Sequence, residues 1–324
     1  MQLIEGARDP LDIVAGNSRV AEAALRVLAE ATIREFETAH GRVPGGELVI
    51  LGLGRLGGGA LTHASDLDLV YLFTGGHGAE SDGRRPLGAG LYFNRLPQRI
   101  SAALSVPTAE GALYAVDTRL RPSGTQGPLA VSLDSFARYQ REQAWTWEHM
   151  ALCRARPLFG PAPAQAELRT IIADVLGAPR DPEKLKADVL EMRARMAEHK
   201  PGQGALDAKL KRGGLVDLEF LVHFRQLASG LGLEPNLGAA IDQLAAAGLL
   251  PADLRRAHDR LTRPLGAARL LAPDSEEPPS GPRAALAAAC GYANWDSVTA
   301  GFAAGRQIVA NAWREVFGEE LELD

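Results

Sequence analysis

Residues 51–73 read LGLGRLGGGALTHASDLDLVYLF, a glycine-crowded turn running into an apolar segment that carries two aspartates, Asp66 and Asp68. The flanks set the element types. ELVILGLG (47–54) is a short β-branched and leucine-rich run ended by glycines, which reads as a strand feeding a turn. SDLDLVYLF (65–73) reads as a second strand. Side chains alternate faces along a strand, so Asp66 and Asp68 project to one side while Leu67 and Leu69 pack the other way. Two like charges a pleat apart in so apolar a strand repel and lose solvation unless a cation or hydrogen-bond donors compensate them. A hard divalent ion fits that need. Magnesium is typically held by one or two carboxylates while substrate phosphates complete its shell. A two-metal site, with ions about 3.5–4 Å apart, clamps both the attacking and the leaving oxygen of a displacement at phosphorus.

Such a site wants a third carboxylate, and Asp117 is the candidate. It is the lone acid of GALYAVDTRLRP (111–122), read as a third strand, where alternation puts it on one face with Arg119 and Arg121. An acid and two guanidiniums in line suit a site that holds metal and triphosphate together. Asp-x-Asp pairs are also common in solvated strands, and Asp117 with Arg119 would then be a surface ion pair contributing little. The glycine turn shifts the balance. Gly52, Gly54, Gly57 and Gly58 let the backbone approach a phosphate chain, and N–H groups at a following helix start bind anions. GLGRLGGG superficially matches a dinucleotide fingerprint, but a DxD strand follows almost at once instead of one ribose-binding acid about 20 residues on. No Gly-Lys-Ser/Thr follows the glycines, which removes a Walker loop.

Around this nucleus, residues 17–39 show helical periodicity after an Asn or Ser placed to cap the first turn, and residues 89–104 read as a helix. From Ser132 the strand signals stop, and residues 132–160 read as helix as far as a Pro-rich junction. Helical periods follow at about 164–176, 182–199, 215–229, 236–248, 251–272 and 295–317, with PDSEEPPSGPR (273–283) as the clearest loop. The expected organisation is a helical segment over 1–45, an αβ nucleus over 46–160 and an all-α bundle over 161–324. The 324 residues are 46% hydrophobic and 23% charged, ordinary for a globular chain, and a net charge of -5 argues against gripping a nucleic-acid backbone. Cys153 and Cys290, the two cysteines, read as buried reduced thiols. No run approaches the ~20 apolar residues of a spanning helix, and no leader pattern opens the chain, so no membrane partner and a cytoplasmic location are expected.

The spacing Gly54-Arg55, ten residues, Asp66-Leu67-Asp68 and a later Asp117 resembles the nucleotidyltransferase superfamily that includes polymerase β. More closely, GLGRLGG...SDLDLVYLF, VDTRLRPSGTQGPLAVS, YQREQAWTWEHMALCRAR and GGLVDLEFLV together look like the glutamine synthetase adenylyltransferases, bifunctional enzymes that attach AMP to glutamine synthetase and remove it. The QAWTWEH stretch and the RLRPSG turn resemble the adding half. The resemblance implies an α+β chain: a polymerase-β-like nucleotidyltransferase domain with a small mixed sheet, followed by an all-α helical bundle. It implies ATP as substrate, magnesium with manganese as its substitute, and transfer of AMP to a tyrosine hydroxyl of glutamine synthetase. A PII signal protein and glutamine as effector come with it. Asp66, Asp68 and Asp117 match the family's metal-binding acids; Gly54, Gly57 and Gly58 match its nucleotide loop, with Ser65 beside the acids. Arg55 stands where the family more often has Lys, which changes donor geometry. Arg119 and Arg121 match its RLRP arginines as phosphate or base contacts. Trp145, Trp147 and Glu148 match too, the tryptophans expected in core packing or helix docking. Asp217 and Glu219, in the first turn of a helix, favour its dipole, with a remoter role near metal or effector. The rival readings are transfer to a different protein or a small molecule, and a non-catalytic nucleotide- or PII-sensing module.

Overall fold

Alternation along residues 67–73 decides which way the two faces of the sheet point. The computed structural model describes residues 9–76, 78–268 and 276–323. They fall into two compact units, Ser18–Leu61 with Ser65–Leu176, and a second made of residues up to Asn17, Thr62–Ala64 and Gly177 onward. The first begins in helix α1 (Pro10–His40) and continues through β1 (Leu48–Gly52), α2 (Gly54–Gly57), β2 (Leu67–Phe73), α3 (Ala89–Ser105), β3 (Val116–Asp117), β4 (Ala130–Ser132), α4 (Leu133–Glu142), α5 (Thr146–Leu152), β5 (Arg156–Phe159) and α6 (Ala162–Gly177). The mixed sheet runs β3-β2-β1-β5, with β4 also on β2. β1 is antiparallel to β2 and β5, whereas β3 and β4 are parallel to β2.

Leu67, Leu69, Tyr71 and Phe73 enter one core cluster with Leu25 and Phe36 of α1 and with Tyr92, Phe93, Leu96 and Ile100 of α3. Phe73 and Phe93 stack with ring centroids 4.5 Å apart. Asp68 therefore faces the other side. Val70 and Leu72, which share its side, are buried as well, and α4 packs against β2 and β4. Burial on both faces explains why β2 reads as a nearly continuous apolar run with a charge only at its start.

Four features depart from the sequence reading. The third strand is two residues long rather than twelve, because the chain leaves the sheet after Asp117. Residues 132–160 are not one helical stretch: α4 and α5 are separate, and Arg156–Phe159 is a strand. Pro157 hid it. Proline is confined to edges and bulges in sheets, and β5 is an edge strand whose pairing with β1 shifts register beside Pro157. Helix α1 starts at Pro10, with the Asp9 carboxylate accepting the Leu11 N–H at 2.9 Å, a proline first turn behind an acidic cap. Ser18 caps nothing; it is buried inside the helix, and its hydroxyl accepts the Leu61 N–H. Within the expected loop 273–283, residues 273–275 lie outside the described set, and helix α11 (Ser280–Ala289) begins at Ser280.

The second unit is helical: α7 (Pro182–His199), α8 (Leu215–Ser229), α9 (Leu237–Ala246), α10 (Leu254–Ala268), α11 and α12 (Trp295–Phe317). Asp181, Asn236 and Asn294 cap α7, α9 and α12 through side-chain oxygens. Helix α12 packs on α8, α10 and α11. Gly305 brings α12 close to α10, since a Cβ there would lie 3.3 Å from Arg260 Cβ. Asp217 does more than complement a dipole. It is fully buried, its Oδ1 accepts the Arg193 Nε–H at 2.5 Å, and its Oδ2 accepts the Gly213 N–H at 2.7 Å. Among the described residues no helix is long and apolar enough to cross a membrane.

Removing one partner of a buried, hydrogen-bonded ion pair strands the other charge, so Asp217→Asn is expected to lower stability by about 3–5 kcal/mol in chemical denaturation. Cys153 and Cys290 are both buried, and burial pushes the Cys290 thiol up to about 12. Neither thiol is expected to react with Ellman's reagent at pH 8 until the chain is unfolded, which a thiol titration with and without guanidinium checks.

Candidate active site

Strand β3 joins the edge of β2 for only two pairs, Leu67↔Val116 and Asp68↔Asp117. Residues directly opposite in neighbouring strands present side chains to the same face, so the sheet itself aligns Asp68 with Asp117, acids 49 positions apart in the numbering. The Leu67 N–H donates to Ala115 O at 2.9 Å and secures the pairing one step further back. Asp66 sits one residue before β2 and is solvent-exposed, with half-buried Ser65 preceding it.

The glycine turn presses directly on this pair. Leu53 N–H donates to Asp68 O at 2.9 Å, fixing the turn to β2. Gly54 has φ +55°, and a Cβ on it would lie 2.1 Å from Asp68 Oδ2, so both backbone conformation and carboxylate proximity demand glycine. Gly57 serves packing: a Cβ would meet Arg154 O at 2.0 Å and Gly52 O at 2.5 Å. Gly58 closes the single turn of α2, donating to Gly54 O, and half-buried Arg55 lies within that turn. Arg156 holds the far end. Its Nε–H donates to Gly57 O at 3.1 Å while its guanidinium pairs with Glu22 of α1 at 2.5 Å.

Asp117 is engaged by Arg119. The guanidinium Nε–H reaches Oδ1 at 3.0 Å and Oδ2 at 2.9 Å, an NH2 hydrogen reaches Oδ2 at 2.5 Å, and the Arg119 backbone N–H donates to Oδ1 at 2.8 Å. Those bonds from Arg119 hold the Asp117 carboxyl below the usual carboxylate range against the opposing effect of burial. Asp117, in turn, raises the guanidinium's pKa, and Asp68 and Asp66 add to the effect. Strand alternation does not bring Arg119 here, since the strand has ended; a turn folds the side chain back onto Asp117.

Arg121 has a different task. It donates to Thr118 O at 2.8 Å, Thr118 Oγ1 at 3.1 Å and Pro128 O at 3.1 Å, closing the loop 118–129 that separates β3 from β4. Ser123, in that loop, has φ +61°, the one positive value outside glycine among the described residues. Tyr139 hydrogen-bonds the Ser123 backbone and donates its O–H to Glu148 Oε1 at 2.9 Å, while Glu148 Oε2 accepts the Trp145 N–H. Glu148, not the tryptophans, occupies the interior. Trp145 is 71% exposed and Trp147 41%, which corrects the expectation of core packing for them. His149 Nε2–H donates to Gln140 O at 2.9 Å.

Among the described residues no three His, Cys, Asp or Glu side chains converge closely enough to hold a metal ion by themselves. Two carboxylates in register suffice for magnesium, whose remaining ligands are water and phosphate oxygens. The Arg119 guanidinium on Asp117 stands where such a cation would meet the acid, and Gly54 admits the Asp68 carboxylate that a side chain there would displace. The donor set therefore fits a hard divalent ion. Sequence reasoning missed the Arg156–Glu22 staple and the Tyr139–Glu148 link, whose partners lie far apart or on different elements. The arginine two residues after another in CRAR was the one local sign of the first.

Residues 4–171 match the sequence model of the family described as glutamate-ammonia ligase adenylyltransferase. Curated proteins named bifunctional glutamine synthetase adenylyltransferase/adenylyl-removing enzyme are similar to the chain. The one from Brucella suis is 45% identical across 76% of the chain and 25% of its own length. That from Agrobacterium fabrum is 46% identical across 71% of the chain and 24% of its length, and that from Rhizobium meliloti 42% across 80% and 26%. The chain thus spans about a quarter of the length of these relatives. The matched half of the sequence contains the whole sheet, the glycine turn and all three acids, and the chain belongs to the glutamate-ammonia ligase adenylyltransferase family.

Proposed function

We propose that the chain transfers AMP from ATP to a tyrosine hydroxyl of glutamine synthetase, releasing pyrophosphate, through a polymerase-β-like nucleotidyltransferase domain. The observation that carries this reading is the register pairing of Asp68 with Asp117 beside a turn where only glycine fits. The tyrosine oxygen attacks the α-phosphorus, the bond from that phosphorus to the bridging oxygen breaks, and pyrophosphate departs with the electron pair. Asp66, Asp68 and Asp117 would hold magnesium, or manganese in its place, which would supply charge neutralisation along the triphosphate. Asp68 is positioned by the sheet and by Gly54, and Asp117 by the sheet and the Arg119 backbone N–H. Such preorganisation aims charge at the reacting phosphate without reorganisation during the reaction. Arg55, Gly58 and Ser65 line the approach of the phosphates, with Arg119 and Arg121 on the opposite loop, while Gly57 lets the turn pack against Gly52 and Arg154. Asp117 also takes the tyrosine proton.

A protein acceptor is favoured over a small one by the two exposed tryptophans, held in place by Glu148 at one end of the Tyr139 link to the loop. Regulation by glutamine and by a PII signal protein, and a cytoplasmic setting supplied with ATP, follow from the same reading through the family alone.

Incubation with α-³²P-labelled ATP, magnesium and glutamine synthetase is expected to place label on a tyrosine, located by mass spectrometry; unlabelled acceptor under these conditions rejects the reading. Asp66→Asn combined with Asp68→Asn is expected to reduce transfer by about a thousandfold or more while circular dichroism stays unchanged, because several kcal/mol of charge stabilisation are lost. Gly54→Ala forces a side chain into the left-handed region at a cost of about 1–2 kcal/mol and onto Asp68 Oδ2, so both the melting temperature and the transfer rate should fall.

A further inference from the structure

The two arginines of the RLRP turn are not equivalent. Arg121 is fixed by three carbonyl oxygens and a hydroxyl of its own loop. The Arg119 guanidinium hydrogen-bonds the Asp117 carboxylate, and its side chain is 74% exposed while that of Asp117 is 16% exposed. Its fork occupies both oxygens of Asp117, the atoms a divalent cation would use. The carboxylate keeps its place without the fork, because the Arg119 backbone N–H still donates to Oδ1. A long cationic side chain lying over solvent, on an acid held independently, is free to leave. Asp117 itself is the main draw on the guanidinium, with Asp68 and Asp66 adding to it, and a cation entering between the acids cancels that attraction and repels the arginine.

We infer that Arg119 is a two-position residue: its guanidinium competes with the divalent cation for the Asp117 carboxylate, and on displacement it pairs with phosphate oxygens of the incoming nucleotide. Planar guanidinium matches phosphate as well as carboxylate, so one side chain serves both partners in turn. The nucleotide is then bound tightly only with its metal, since the metal releases the arginine that grips the phosphates. This rests on the reading of Asp66, Asp68 and Asp117 as metal-binding acids.

The test measures binding, not turnover, on the full chain. Free Mn²⁺ is followed by electron paramagnetic resonance for the wild type, Arg119→Gln, Arg119→Lys and Asp117→Asn, alone and with α,β-methylene-ATP. Arg119→Gln is expected to tighten Mn²⁺ alone by about two- to fivefold, within the range an exposed ion pair spans, yet to weaken the nucleotide in the presence of Mn²⁺ by about tenfold. Arg119→Lys, which keeps the charge without the fork, should fall between. Opposite signs for metal and nucleotide are the signature, because a merely structural arginine would move both the same way. If Arg119→Gln binds Mn²⁺ no better than the wild type, or loses no nucleotide affinity, the two-position role is wrong while the acids stand. If Asp117→Asn leaves Mn²⁺ binding unchanged, the metal site is misassigned and the inference goes with it.

Discussion

Everything about the candidate site depends on two residue pairs of parallel sheet, Leu67↔Val116 and Asp68↔Asp117. Backbone hydrogen bonding there is short, but it sets the side-chain face with no freedom, because a slip of one residue would turn Asp117 away and bring Thr118 in. The core enforces the register from beneath. Leu67 and Leu69 are locked among α1 and α3, so β2 cannot rotate, and Asp68 is committed to the opposite face. Leu53, hydrogen-bonded to Asp68, and Gly54, with its positive φ, then bring the turn against that carboxylate.

The charge arrangement follows from the same constraint. Two acids on one face of an apolar sheet need a counter-charge, and the chain provides one in Arg119 only two residues beyond Asp117. The pair is exposed on the arginine side, so it costs little to open and contributes little to stability. Contrast the Arg193–Asp217 pair in the helical unit, buried on both sides and further bonded to Gly213. One ion pair is built to stay and the other to part, and burial is the difference between them.

The parts of this architecture that are periodic were legible in the residues. Alternation in 67–73 gave the aspartate face, and helical spacing gave Pro182–His199, Leu215–Ser229 and Trp295–Phe317 to the residue. What escaped has a common physical origin in tertiary context. Strand Arg156–Phe159 carries a proline that only an edge position tolerates, and β4 is too short to show a period. Ser18 looks like a cap until Leu61 is seen to use its hydroxyl. Trp145 and Trp147 look like core by residue type, yet Glu148 takes the interior because Tyr139 and the Trp145 amide satisfy it there. The face shared by Asp68 and Asp117 was readable from the strand pattern; the arginine fork closing over Asp117 was not, because nothing in a strand reading brings Arg119 back on itself.

β3 and β4 share one edge of β2, the first leaving at the level of Asp68 and the second arriving at the level of Tyr71. The ends of the intervening loop are thus pinned about 10 Å apart along the strand at roughly 3.3 Å per residue, whatever its middle contains. Recomposing residues 122–126 leaves both anchors in place, because the Arg119 bonds to Asp117 and the Arg121 bond to Pro128 O lie outside that stretch. A platform of this kind separates anchorage from adaptation: the acids stay with the ladder, and the surface beside them can change in the excursion.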